Sequence, residues 1–162
     1  MYAGKLEMTN EMKNGNVEFT VYGYADLAGN VGKTWTNETT NNTSVTFDSE
    51  KPTVDFIRIQ NNSRPGSEAK VGDTIWVYVK VTQKQSDLSS APKVKINGKD
   101  AKVFVNEQTN TYTKYAAEII VTEDMQPGEM TFEISNYADL AGNIGDTLTS
   151  VTDGSSMTIV KD

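Results

Sequence analysis

The chain has 162 residues, a formal net charge of −7, and neither cysteine nor histidine. The negative charge argues against nucleic acid or an anionic membrane surface as a partner, and the missing cysteine excludes disulfides and thiol chemistry. The missing histidine removes the commonest general base, and no apolar run in this fragment approaches the ~18 residues of a membrane span.

A long stretch of the sequence occurs twice, at an offset of 113 residues. The seven residues Tyr24–Asn30 return unchanged as Tyr137–Asn143. Between Tyr2–Thr36 and Tyr115–Thr149, 16 of 35 aligned positions are identical. Self-similarity at a fixed offset is the signature of tandem structural modules.

The repeat predicts the domain organisation. Residues 1–48 are interpreted as the C-terminal half of one module, residues 49–51 as a linker, and residues 52–162 as a complete module. Met1 stands where Lys114 stands in the second copy, so we expect the chain to be a piece of a longer tandem array.

Apolar residues alternate with polar ones along most of the chain, which is the pattern of β-strands. Dipeptides such as Asn97-Gly98 and Pro127-Gly128 interrupt this pattern and indicate turns. The predicted strands are, in chain order, Val17–Val21, Thr43–Phe47, Val54–Ile59, Thr74–Thr82, Lys93–Ile96, Ala101–Val105, Tyr112–Val121, Met130–Ser135, Thr147–Val151 and Ser156–Val160.

Two features of these strands carry the fold prediction. Asn97-Gly98 predicts a hairpin that joins Lys93–Ile96 to Ala101–Val105. Seven or eight short strands in about 110 residues predict a β-sandwich, with Trp76 and Tyr78 on the face opposite the core. The predicted inward-facing residues are Ile75, Val77, Val79, Val81, Val94, Ile96, Phe132 and Ile134.

The sequence resembles the bacterial immunoglobulin-like (Big) repeats of large surface proteins and adhesins. The resemblance implies an all-β, immunoglobulin-like sandwich at the bacterial cell surface, with the linker similar to the family's Asp-x-x-x-Pro junction. The residues that carry it are Val71–Ile75, Val94–Gly98, Gly128–Ile134, Tyr137–Asn143 and Val45–Thr53.

The repeated loop Tyr137–Asn143 has two interpretations. In the first, Asp139 and Asn143 hydrogen-bond backbone amides in a tight turn, Gly142 adopts a conformation closed to other residues, and Tyr137 anchors the base of the loop. In the second, oxygen ligands form a calcium site at the junction between modules, which the resemblance also implies for some family members. Its candidate ligands are Asp48, Glu50, Asp87, Asp139 and Asn143.

Catalysis is not expected, because a chain without histidine or cysteine lacks the usual bases and nucleophiles and shows no Ser-x-x-Lys pattern. The aromatic residues Trp35, Trp76, Tyr22 and Tyr78 are interpreted either as packing between modules or as a platform for a sugar ring.

Residues 1–48 alone would leave an apolar face and an unpaired strand edge exposed. We therefore expect this half-module to be partly mobile, packed on a neighbour, or completed by a partner chain. Self-pairing is disfavoured because each chain holds two copies of the back half and one front half, residues 52–112.

The predicted function is a structural stalk module in a tandem-repeat extracellular bacterial surface protein or adhesin, with neighbouring immunoglobulin-like modules of the same protein as partners. One alternative is a module that binds carbohydrate or a host protein. Another is a filament subunit whose half-module is completed in trans. Stacked modules behave as quasi-one-dimensional repeats, so the junctions would set their stiffness.

Overall fold

A computed structural model describes residues 1–83 and 87–161, and it is all-β in these ranges. No helix there is long and apolar enough to cross a membrane. The chain divides into two compact units, unit 1 (Met1–Ser49) and unit 2 (Glu50–Asp162). The interpretation of unit 1 as half of a module stays a prediction.

The strands are short in unit 1 and longer in unit 2. In chain order they are β1 Gly15–Asn16, β2 Thr20–Val21, β3 Trp35–Thr36, β4 Thr46–Phe47, β5 Thr53–Asn61, β6 Glu68–Ala69, β7 Thr74–Thr82, β8 Leu88–Ser90, β9 Lys93–Ile96, β10 Lys99–Asp100, β11 Lys102–Gln108, β12 Tyr112–Ile120, β13 Gly128–Glu129, β14 Phe132–Ser135, β15 Ala138–Asp139 and β16 Thr158–Ile159.

Unit 1 contains two small ladders, β1 with β4 and β2 with β3, both antiparallel. The predicted strands Val17–Val21 and Thr43–Phe47 are only partly realised. In unit 2 the strands β7, β9 and β12 each lie between two neighbours, whereas each described strand of unit 1 pairs on one side only. Each predicted strand of unit 1 is therefore paired with a neighbouring strand over only two residues.

Unit 2 is built on an antiparallel four-stranded sheet of order β11-β12-β7-β5. A second antiparallel sheet has the order β10-β9-β14, and a third has the order β13-β16-β6 with β16 parallel to β6. A short ladder joins β15 to β8. This arrangement in several sheets is consistent with the predicted β-sandwich.

The predicted core of unit 2 is confirmed. Ile75, Val77, Val79 and Val81 alternate along β7 with half-buried residues, and each is at most 1% exposed. Val94 and Ile96 from β9 join the same cluster, as do Phe132 and Ile134 from β14. The period-two pattern therefore identifies the buried face of each long strand.

The hairpin predicted at Asn97-Gly98 is confirmed as a turn, but its second strand was wrong. Asn97 and Gly98 have positive φ values of 49° and 76°, as a two-residue hairpin turn of this kind requires, and Ile96 pairs with Lys99. After the turn, β10 forms the ladder with β9, and β11 does not. The chain then crosses to the four-stranded sheet, where β11 finds a longer partner in β12.

The predicted strand Thr147–Val151 is reduced to one bridge between Leu148 and Ile134. Conversely, β6, β8 and β15 were not predicted. Each has two or three residues, too few to show an alternating pattern, and each is held by a partner distant in sequence.

Chain entry and exit lie at opposite ends of unit 2. Thr53, the first residue of β5, pairs with Thr82 at one end of β7. Near the other end of β7, Ile159 of β16 pairs with Ala69, and Asn61 at the end of β5 donates a hydrogen bond to the Glu68 carbonyl at 2.9 Å. The length of β7 separates these ends by about 27 Å.

A buried carboxylate organises the exit end. Asp73 is 3% exposed and accepts a bidentate ion pair from Arg64, with Nε and Nη2 each 2.7 Å from a carboxylate oxygen. Asn61 Nδ2 and the Lys70 backbone amide also donate to it, each at 2.9 Å. Burial would raise the pKa of Asp73, but the hydrogen bonds from Arg64, Lys70 and Asn61 outweigh it and lower the pKa.

Candidate functional site

The repeated loop of unit 2 is closed by the carboxylate of Asp139. Its Oδ1 accepts the Asn143 backbone amide at 2.8 Å, and its Oδ2 accepts the Asn143 side-chain amide at 3.0 Å. Gly142 has φ of 92°, a conformation that side chains disfavour, and its amide donates to the Asp139 carbonyl at 3.2 Å. The loop has the contacts of the predicted tight turn.

The same loop in unit 1 has the same internal hydrogen bonds. Asp26 accepts the Asn30 backbone amide at 2.9 Å and its side-chain amide at 2.8 Å. The hydrogen bonds from Asn30, its side chain foremost, lower the pKa of Asp26. Asp26 is exposed whereas Asp139 is buried. The loop geometry therefore forms from local sequence and does not require burial.

The base of each loop is anchored by its tyrosine. The Tyr137 hydroxyl donates to the Asp146 carbonyl at 2.9 Å, and Tyr24 donates to the Lys33 carbonyl at 2.7 Å. Burial of the Tyr137 ring, and after it the charge of Asp146, raises the pKa of this phenol. The predicted anchoring role of Tyr137 matches these contacts.

In each copy a glycine, which the sequence prediction did not single out, lies against the tyrosine ring. A Cβ atom built on Gly145 would lie 1.9 Å from the Tyr137 ring, and one on Gly32 would lie 1.9 Å from the Tyr24 ring. Only glycine leaves room for the ring at this position. The signal was present in the repeat, because both glycines stand two residues after the identical loop.

The structure brings some of the predicted calcium ligands together. Asp139 and Asn143 are in contact, and the Asp87 carbonyl accepts the Leu140 amide at 2.8 Å, which places Asp87 beside the same loop. Asp48 is a buried residue of unit 1, and Glu50 is an exposed residue at the start of unit 2.

The acidic candidates are not clustered in the described ranges. In the described ranges, no group of three or more Asp, Glu, His or Cys residues is placed to hold a metal ion. Both carboxylate oxygens of Asp139 accept hydrogen bonds from Asn143. The junctional calcium site stays a prediction.

We expect Asp139→Ala to lower the free energy of unfolding of unit 2 by about 1–3 kcal/mol, because two amide groups lose their acceptor. The effect should be the same with and without millimolar Ca²⁺ in thermal melts. Asp26→Ala is the matched control, and it should leave the unfolding of unit 2 unchanged because Asp26 belongs to unit 1. A Ca²⁺-dependent rise in Tm that is lost in both Asp48→Ala and Asp139→Ala would instead establish the junctional metal site.

A second candidate site lies on the outer face of the four-stranded sheet. Trp76 stacks on Tyr78 with ring centroids 6.1 Å apart, and Trp76 also contacts Phe104, with centroids 6.0 Å apart. Lys102 lies over the Phe104 ring, with Nζ 4.6 Å from the centroid. The sequence predicted that Trp76 and Tyr78 share this face, but it did not identify Phe104. Trp35 and Tyr22 belong to unit 1.

A groove of about 550 Å³ has Tyr78 in its lining. Phe56 and Tyr78 provide apolar walls, and Arg58, Lys80 and Lys114 provide positive charge. All three cations have acidic partners, since Lys80 pairs with Asp55, Lys114 with Glu107 and Arg58 with Asp153. The groove therefore has an aromatic wall and a mixed charge.

Comparisons of the chain with protein-family models, with curated proteins and with solved structures found no significant match.

Proposed function

We propose that unit 2 is a spacer module of a tandem-repeat extracellular surface protein, with neighbouring modules of the same kind as its partners. The observation that carries the proposal is the position of the chain ends. The chain enters at Thr53 and leaves after Ile159 at the opposite end, about 27 Å away. Copies joined in sequence can therefore extend in one direction, as a stalk requires.

Strand pairing supports this role mechanically. A force applied along the module pulls on β5 parallel to its long ladder with β7, so many hydrogen bonds carry the load together.

The repeated loop is a second argument for the spacer role. Tyr24–Asn30 and Tyr137–Asn143 have the same internal bonds, as expected for copies of one building block.

Single-molecule force measurements on the full chain test the proposal. The chain has no cysteine, so Pro52→Cys with Lys161→Cys attaches handles at opposite ends of unit 2. The control attaches them at one end, with Pro52→Cys and Asn110→Cys. We expect unfolding at a higher force in the end-to-end geometry, because the β5–β7 ladder is sheared rather than opened bond by bond. Equal or lower force would contradict the spacer role.

The outer aromatic face favours a second candidate function, a module that binds carbohydrate. Trp76 and Tyr78 offer ring surface next to the cations of the groove, which suits a sugar with a carboxylate or sulfate group. Fluorescence titration of Trp76 with acidic and neutral oligosaccharides tests it in a Trp35→Phe background. Saturable quenching by the acidic sugars, lost in Tyr78→Ala, would support binding, and no quenching would remove this candidate.

A further inference from the structure

The four-stranded sheet of unit 2 has two edge strands, β5 and β11, and the edge of β5 is covered. The Thr152 amide donates to the Ile57 carbonyl at 2.9 Å, and the Thr152 hydroxyl accepts the Ile57 amide at 2.8 Å. The Ser155 hydroxyl accepts the Ile59 amide at 3.0 Å. The segment that contains Thr152 and Ser155 therefore occupies backbone groups on the free side of β5.

The other edge strand, β11, has no such cover among the residues that the structure describes. It runs from Lys102 to Gln108 and pairs with β12 on one side, and no described strand lies on its other side. Val105, in the middle of β11, is 57% exposed. An unpaired edge presents backbone donors and acceptors that a further strand can use.

The features that usually protect a strand edge are weak in β11. Natural edges carry a proline, a charge in the middle of the strand, or a bulge. β11 has no proline, and its lysine, Lys102, is the first residue. Its bulge falls between Val105 and Glu107, so the residues Lys102–Val105 keep regular pairing with β12. Three of these four residues are valine or phenylalanine, which favour strands.

The charges at the two ends of β11 favour an identical strand as its partner. Lys102 and Glu107 stand opposite Glu118 and Lys114 of β12, so both lie on the outer face of the sheet. Two β11 strands that pair antiparallel bring Lys102 of one copy next to Glu107 of the other. A parallel pair would instead place like charges opposite each other, which is unfavourable.

We propose that β11 is a self-association edge, at which two copies of the chain pair antiparallel and join their four-stranded sheets into one continuous sheet. In the register centred on Phe104, the two Phe104 side chains lie opposite each other, and Val103 lies opposite Val105 of the second copy. The Phe104 rings then extend the contact with Trp76 across the interface. The pair has twofold symmetry and closes on itself, because each copy contributes the same edge.

The direction of β11 determines how the two copies lie. It is antiparallel to β12, which is antiparallel to β7, so it runs along the length of unit 2. The second copy therefore lies beside unit 2 and points in the opposite direction. The inference goes beyond the spacer role, because spacers that extend from two facing surfaces could bind each other in this orientation. That last point rests on the proposed spacer role, whereas the pairing of β11 does not.

Sedimentation equilibrium of the full chain tests the proposal. We expect a monomer–dimer equilibrium at chain concentrations up to about 1 mM. Val105→Lys should raise the dissociation constant of the dimer about tenfold or more, because it introduces a charge in the middle of the paired edge. The matched control is Ile120→Lys, since Ile120 is also 57% exposed but belongs to β12, which lies inside the sheet. The control should leave the dissociation constant unchanged.

Oxidative crosslinking gives a second measurement, which reports the register and the direction of the strands. The chain has no cysteine, so Phe104→Cys introduces a single thiol. Its two copies would have Cα atoms about 4.5–5.5 Å apart, a distance that a disulfide spans. We expect a disulfide-linked dimer from Phe104→Cys. We expect none from Lys102→Cys, because the antiparallel pair separates its two copies by about 13 Å along the strand.

Three results would overturn the proposal. The first is a chain that stays monomeric up to about 1 mM and gives no crosslinked dimer. The second is a crosslinked dimer from Lys102→Cys, or equal weakening by Ile120→Lys, which would show a parallel pair or association through the outer face. The third is weakening by Val21→Lys but not by Val105→Lys, which would show association through unit 1, where Val21 is 50% exposed. The force measurement uses single chains, so its outcome is independent of these results.

Discussion

Replacing Gly145 with alanine should lower the free energy of unfolding of unit 2 by about 2–3 kcal/mol. The new methyl carbon would lie 1.9 Å from a ring carbon of Tyr137, a residue that is only 1% exposed. Either the ring shifts and loses its hydrogen bond to the Asp146 carbonyl, or the chain after the loop moves. Chemical denaturation followed by Trp76 fluorescence, in a Trp35→Phe background, measures the change.

Gly32→Ala is the matched control for this prediction. It places a methyl carbon at the same 1.9 Å from the Tyr24 ring, but Tyr24 is 43% exposed and its ring can rotate towards solvent. We expect little change in the stability of unit 2. Neither Gly145 nor Gly32 has a positive φ, so backbone strain contributes to neither change. Equal stability of Gly145→Ala and the parent chain would contradict the packing argument.

Asp73→Asn should destabilise unit 2 by about 2–3 kcal/mol at neutral pH. The substitution keeps the shape of the side chain but removes the charge that faces Arg64, and it turns an acceptor oxygen into a donor amide. We expect a smaller loss of stability than for a fully buried ion pair, because the Arg64 side chain is 44% exposed. Asp55→Asn, which loses an exposed ion pair to Lys80, is the control and should change stability by less than about 1 kcal/mol.

The Asp73 effect should depend on pH in a defined direction. The pKa of Asp73 is lowered in the folded chain from its ordinary value of 3.8. Below that value the unfolded chain takes up the proton first, so stability falls as the pH falls towards the folded pKa. The difference between the parent chain and Asp73→Asn should therefore be constant above about pH 5 and shrink below about pH 4. A difference that grows in acid would contradict this assignment.

Long strands could be predicted from the sequence because their pattern is a consequence of burial. β7 has the predicted bounds, Thr74–Thr82, and β9 has the predicted bounds, Lys93–Ile96. In both, branched aliphatic residues alternate with polar or aromatic ones, and the alternation coincides with alternating burial. For a strand with such a regular alternation, the local sequence is enough to predict both the strand and its buried face.

Short strands could not be predicted because their pairing depends on distant residues. β6 forms at Glu68–Ala69 only because Thr158–Ile159, about 90 residues later, lies parallel to it. For β6, a tertiary contact selects the strand, and no local pattern reports it. The error at β11 has another origin, because the hairpin signal assigned it to β9 whereas it pairs with β12, the next strand along the chain.

The same distinction between local and distant contacts applies to the candidate sites. The turn at Asp139 and Asn143 was predicted because an Asp-to-Asn hydrogen bond over four residues is local. The contact of Phe104 with Trp76 was not, because Phe104 comes from β11, two strands away across the sheet. Gly145 is an intermediate case. Its contact with the Tyr137 ring is a tertiary contact, but the presence of a glycine at this position in both copies was visible in the sequence.

The opposite placement of the chain ends in unit 2 has a consequence for evolution. If copies are joined in series, each duplication of 113 residues lengthens the polymer by a fixed step of roughly 30 Å, whatever its neighbours are. Stretches as similar as Tyr24–Asn30 and Tyr137–Asn143 are natural sites for unequal recombination. The length of the array could then be adjusted by the number of copies alone, without any change to the fold of a module or to its internal contacts.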